Sequence, residues 1–194
     1  MRLKLCAMMM GLLAIGVSAA QAENVLATSP DAPVVSLKTK QASVAAGGQV
    51  IVEVFVQNIQ DLSSYEMRLN VVGGDRGALT LEKIAVDQQR ADYVFKNSGV
   101  QILDVVDMSQ QRVGMVRFAG GSNIAADQQG YLATFTFRVS GDAAGKFAIS
   151  LSNPESAFLN NSVAQQIPHR LAAPLEVVVG QQTTPVRVET RKKG

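Results

Sequence analysis

The chain is 194 residues long and carries 18 basic and 16 acidic residues, one histidine, one cysteine and no tryptophan. That length suits a single domain with its own apolar core. The near-balance of charge argues against the basic stripe of a nucleic-acid binder, and a lone cysteine rules out both an internal disulfide and a Cys/His metal cluster.

Residues 1–22 read as a signal peptide. Arg2 and Lys4 precede an apolar run over residues 5–17, and Ala20-Gln21-Ala22 supplies the small-x-small cleavage pattern, which predicts a mature start at Glu23. The run is shorter than the roughly 20 residues of a membrane span. Cys6 lies before it, whereas a lipoprotein cysteine would lie at its end. The expected product is an exported chain, secreted or periplasmic, with no transmembrane segment. Without Arg2 and Lys4 its acidic and basic residues are equal in number.

Residues 23–33 (ENVLATSPDAP) form a polar lead-in with two prolines. The domain is expected over residues 34–180. Residues 34–40 suit a first strand, and Ala45-Ala46-Gly47-Gly48 a turn. Next comes the clearest run of the chain, with Val50, Val52, Val54 and Val56 on one face and Ile51, Glu53 and Phe55 on the other. A second run alternates Tyr65, Met67, Leu69 and Val71 with Glu66, Arg68 and Asn70, as a strand with one wet face does. Gly73-Gly74-Asp75-Arg76-Gly77 breaks it, and alternation resumes over residues 78–86.

Residues 87–97 are polar and irregular, with Tyr93, Val94 and Phe95 to pin them to the body. Short strands are predicted at 100–106 and 113–119, with a turn at 107–111 and a loop at 120–130. Residues 131–139 place Ala133, Phe135, Phe137 and Val139 on one face, and further strands are predicted at 146–152, 157–167 and 174–179. Residues 181–194 make a polar tail with Arg187, Arg191, Lys192 and Lys193. Nine or ten short strands and no sustained helical period indicate an all-β sandwich.

The residues assemble no catalytic constellation. His169 stands in a loop-like stretch where a surface role is expected, and no Gly-x-Ser-x-Gly elbow exists. No residue pattern calls for a cofactor or a transition metal. Asp75, Asp87, Asp104 and Asp107 lie at turns without calcium-loop spacing, and read as solvated carboxylates. Glu53 and Glu66 are expected to face one another across neighbouring strands, as a carboxylate pair or as a surface pair beside Arg68. Glu66, Arg68 and Asn70, beside Arg117 on the 113–119 strand, form a candidate protein-docking face or an ordinary solvated one. Tyr93 and Tyr131 are the candidate exposed rings for stacking on a sugar.

Four stretches resemble the cohesin family, the receptor modules by which cellulosome scaffolds capture dockerin-bearing proteins. Residues 48–54 (GQVIVEV) look like its first glycine-led strand, and residues 58–69 (NIQDLSSYEMRL) like its following loop and strand. Residues 130–139 (GYLATFTFRV) are similar to its "G-x-L-A-x-I-x-F-x-V" strand, and residues 144–159 to its later glycine turn and "A-x-L" segment. The chain departs from the family at Leu69-Asn70-Val71-Val72-Gly73-Gly74, where cohesins commonly carry an aromatic-Asp-Pro turn. The resemblance spans residues 34–179. It implies a nine-stranded jelly-roll sandwich, a fold shared with some cellulose-binding modules, and a non-enzymatic binding role. The implied ligand is a dockerin-like protein, which needs calcium to fold, or alternatively a polysaccharide, within polysaccharide catabolism.

Overall fold

The computed structural model describes residues 29–96, 102–117, 120–151 and 157–180, without the side chains of 102–104 and 158. The expected signal peptide (1–22), the first part of the lead-in and the basic tail (181–194) lie outside the described residues. In chain order the strands are β1 (Val34–Thr39), β2 (Ser43–Ala45), β3 (Gln49–Gln57), β4 (Ile59–Arg68), β5 (Asn70–Gly73), β6 (Leu79–Ala85), β7 (Ile102–Asp107), β8 (Arg112–Arg117), β9 (Ser122–Ile124), β10 (Gly130–Val139), β11 (Gly145–Ser150), β12 (Ala157–Asn161), β13 (Arg170–Leu171) and β14 (Leu175–Gly180).

These strands build two layers. The front layer runs β13-β1-β3-β10-β6, and the back layer is made of β2-β14-β11-β5 and β12-β4-β8-β7. Only Leu69 separates β4 from β5. β11 pairs Ser150 with Asn70, and β12 takes up the same partner strand by pairing Ala157 with Met67. The two back pieces thus share β4–β5 as a common spine. The extra segments beyond the expected nine or ten come from such interruptions and from short edge pairings.

Alternation explains the core. Val50, Val52, Val54 and Val56 of β3 are fully buried, and Phe135 and Phe137 of β10 flank them. From the back layer come Tyr65 and Met67 of β4, Val113 and Met115 of β8, Ile149 of β11, Leu159 of β12 and Val177 of β14. A period of two turns every second side chain of each strand inward, so two facing sheets bury one continuous apolar layer.

One irregularity redirects a candidate residue. In β10 the register slips between Tyr131 and Ala133, so Tyr131 stands opposite Phe55 while Ala133 stands opposite Val54. This bulge removes Tyr131 from the face of Ala133 and Phe135 and places it beside Phe55, on the outer side of the front layer. The segment after β6 then lies along the start of β10, with Val94 N–H donating to Tyr131 O (3.2 Å) and Tyr131 N–H to Asp92 O (2.7 Å). Tyr93, Phe95, Tyr131 and Phe55 pack edge to face there, and Phe95 stacks on Tyr65.

Candidate functional site

The outer face of the back layer is fixed by what its strands send inward. Because Tyr65, Met67 and Leu69 point to the core, Ser64, Glu66 and Arg68 point out, and Asn70 continues that row on β5. On β8, Val113 and Met115 point in, which leaves Arg112, Gly114 and Val116 outward. The pairing of β4, β8 and β7 lines these residues into cross-strand rows. Ser64 stands opposite Val116, Glu66 opposite Gly114 and then Val105, and Arg68 opposite Arg112 and then Asp107.

Gly114 sits in the middle of this face. A Cβ there would meet only Tyr65 O, at 3.6 Å, so the missing side chain leaves open space. The result is a shallow depression of about 440 Å³. Val105 and Val116 wall it with apolar surface, 45% and 37% exposed. On one side Arg112 Nη1 donates to Glu66 Oε2 and Oε1 at 3.3 and 3.5 Å. On another, Asn160 Nδ2 donates to Ser64 Oγ at 3.1 Å. Apolar walls with fixed polar groups at the margins are suited to docking a protein surface.

The sequence candidates distribute unevenly. Glu66, Arg68 and Asn70 share the face. Arg117 does not: it has the parity of Val113 and Met115, its Nη1 donates to Ser122 Oγ at 3.0 Å, and its carbonyl accepts from Ser63 Oγ. Glu53 and Glu66 lie in different layers rather than on neighbouring strands. Glu53 pairs with Arg90, and Glu66 with Arg112.

Tyr93 and Tyr131 are 4% and 1% exposed, so neither offers a ring face to a sugar. Burial raises the Tyr131 hydroxyl above its usual range. His169, expected at the surface, is 1% exposed, with Nδ1 at 3.0 Å from Ile167 O. Desolvation lowers its pKa. Asp107 is occupied by its own turn, accepting from Ser109 Oγ and N–H and from Gln110 N–H, and these bonds hold it below the usual carboxylate range.

Sequence reading missed Ser64, Val105, Arg112, Gly114, Val116 and Asn160. The signal was present in part. In residues 112–117 (RVGMVR) Val113 and Met115 alternate with Arg112, Gly114 and Val116, which already sets the latter three on one face. Among the described residues no group of three His, Cys, Asp or Glu is placed to hold a metal, and no helix is long and apolar enough to cross a membrane.

No family model and no curated protein matches the chain. Solved structures do. The third ScaB cohesin of R. flavefaciens, solved with a group 1 dockerin, superposes with a TM-score of 0.58 at 14% identity, over 79% of this chain and 98% of that one. The sixth cohesin of scaffoldin B from Acetivibrio cellulolyticus, also solved with a dockerin, superposes with a TM-score of 0.52 at 15% identity, over 77% of this chain and 99% of that one. This chain has the cohesin fold. At such identity the likeness is one of backbone architecture, so the side chains of this cohesin-like module have to be read on their own terms.

Proposed function

We propose that the protein is an exported, non-enzymatic receptor module that binds a dockerin-like protein through the outer face of β4, β8 and β7. The single observation that carries this reading is the depression over Gly114, with exposed valines at its walls and charged and amide groups at its margins. Partners of the superposed cohesins supply the kind of ligand expected, a dockerin, and the cohesin fold is typically non-catalytic. Residues 1–22 supply the export signal. The polysaccharide alternative has lost its support in Tyr93 and Tyr131. A second depression, of about 470 Å³ beside Lys38, Lys40 and Ile51 on the front layer, has no aromatic wall.

The test is capture from the producing organism's periplasmic and secreted fractions, with calcium and with chelator, followed by reconstitution with the purified partner. A defined partner that rebinds the wild-type protein, is released by chelator and fails to bind Val116→Glu supports the proposal. Retention on insoluble polysaccharide with no protein partner in either condition overturns it.

A further inference from the structure

Resting on that reading of the face, we propose that Arg68 and Arg112 together form an anchor for a carboxylate of the partner, an Asp or Glu on a helix that lies over β4 and β8 and runs along them. The same helix presents an apolar side chain to the depression over Gly114.

Register places Arg68 directly opposite Arg112 on adjacent antiparallel strands. Side chains so paired have Cβ atoms about 5 Å apart, and like charges in that relation oppose folding. Among the described residues the offset is partial and falls on Arg112 alone. Arg112 reaches Glu66 through one nitrogen at 3.3 Å, longer than the roughly 2.7–2.9 Å of a good charge-assisted bond. Asp107, which follows Arg112 in the same row, acts on Arg112 through its charge only, its hydrogen bonds being taken by Ser109 and Gln110. The Arg68 side chain makes no hydrogen bond or ion pair with any described residue, and the buried Nε atoms of both arginines lack partners.

Of these two half-buried arginines, only Arg112 therefore has a carboxylate partner, and it holds Glu66 loosely. Each guanidinium is a planar fork shaped for two-pronged contact with a carboxylate. A partner carboxylate over the Arg68–Arg112 row would accept from both and remove their mutual repulsion. The depression lies one row away, because Gly114 is two residues from Arg112 along β8. Two residues of strand span about 6.7 Å, close to the roughly 5–6 Å between side chains at i and i+3 or i+4 of a helix. Both β4 and β8 are paired along both edges, so an added strand has no edge to join there. A helix lying along the strands meets both requirements.

The experiment is a selection from a phage-displayed library of helical hairpins randomised on one face, made against the purified protein. Binders are sequenced and their affinities measured for wild type, Arg68→Gln, Arg68→Glu and Val116→Glu. The expected binders carry Asp or Glu three or four positions from an apolar residue. They lose affinity at least tenfold on Arg68→Gln, while the melting temperature of that variant stays equal to wild type or rises. Lys in place of the binder's acidic residue restores binding to Arg68→Glu. Binders that are lost on Val116→Glu but show no acidic preference and less than a twofold response to Arg68→Gln would overturn the anchor alone. Binders indifferent to Val116→Glu as well would overturn the docking face and the anchor with it.

Discussion

The guanidinium of Arg90 lies over the ring of Tyr131, its central carbon 4.1 Å from the ring centroid. The same group grips Asp92 through Nε and Nη2, both at 2.9 Å, and reaches Glu53 on β3 through Nη1. One side chain thus ties the segment after β6 to the outer side of the front layer. It also covers the tyrosine that composition alone offers as a sugar platform.

Arg90→Ala should remove two cation–π contacts, to Tyr131 and Phe55, and two ion pairs, all partly screened by water, at a cost of about 2 kcal/mol. For a chain of this size that lowers the melting temperature by roughly 4–8 °C. Arg90→Lys should recover little, since an ammonium cannot make the two-pronged contact with Asp92. Thermal melts of both variants check this, and partner affinity should be unchanged because Arg90 is on the other layer.

Gly114→Val tests the depression without disturbing the fold. A Cβ there meets only Tyr65 O, at an ordinary contact distance, and a β-branched residue suits a strand. Stability should change by less than about 0.5 kcal/mol. Partner affinity should fall at least tenfold, about 1.4 kcal/mol, as measured by titration calorimetry.

Gly74 is under the opposite constraint. It holds φ at +81°, and a Cβ there would intrude on the Phe147 ring. Gly74→Ala should destabilise by about 2–4 kcal/mol through backbone strain and overpacking. The drop in the urea midpoint, with an unchanged slope, is the readout.

His169 should make stability depend on pH. Burial lowers its folded pKa below the ordinary value near 6.5. As pH falls through about 6.5 the unfolded chain takes up a proton before the folded one does. Stability is therefore full above that value and declines toward the lowered folded pKa, by at most about 1.4 kcal/mol per pH unit. Urea midpoints at pH 8, 7, 6 and 5 should show the decline, and His169→Asn should remove it. Asp92 is held below the usual carboxylate range by Arg90, so its titration falls at lower pH and does not imitate the effect.

The parts of the fold legible in the sequence were those that a period of two determines. The valines of β3, the outward row Glu66-Arg68-Asn70 and the Phe135–Phe137 face of β10 could be read from alternation alone. What was not legible depends on events between strands. The bulge before Ala133 reversed the face of Tyr131, and the segment after β6 then buried it. Assigning Glu53 and Glu66 to different layers required the sheet order. Charge alone puts Arg117 with the docking residues, whereas its parity with Val113 and Met115 puts it on the opposite side of the strand. The burial of His169 in an irregular stretch carries no periodic signal at all.

The most direct test of the docking face is calorimetric titration of the reconstituted partner against two matched variants, Val116→Glu on the back layer and Ile51→Glu on the front. Both residues are exposed on their own sheets, 37% and 45% respectively, so neither charge should unfold the protein. The expected result is loss of binding with Val116→Glu and wild-type affinity with Ile51→Glu. Wild-type affinity with Val116→Glu, and loss with Ile51→Glu, would contradict the placement of the site and move it to the opposite face.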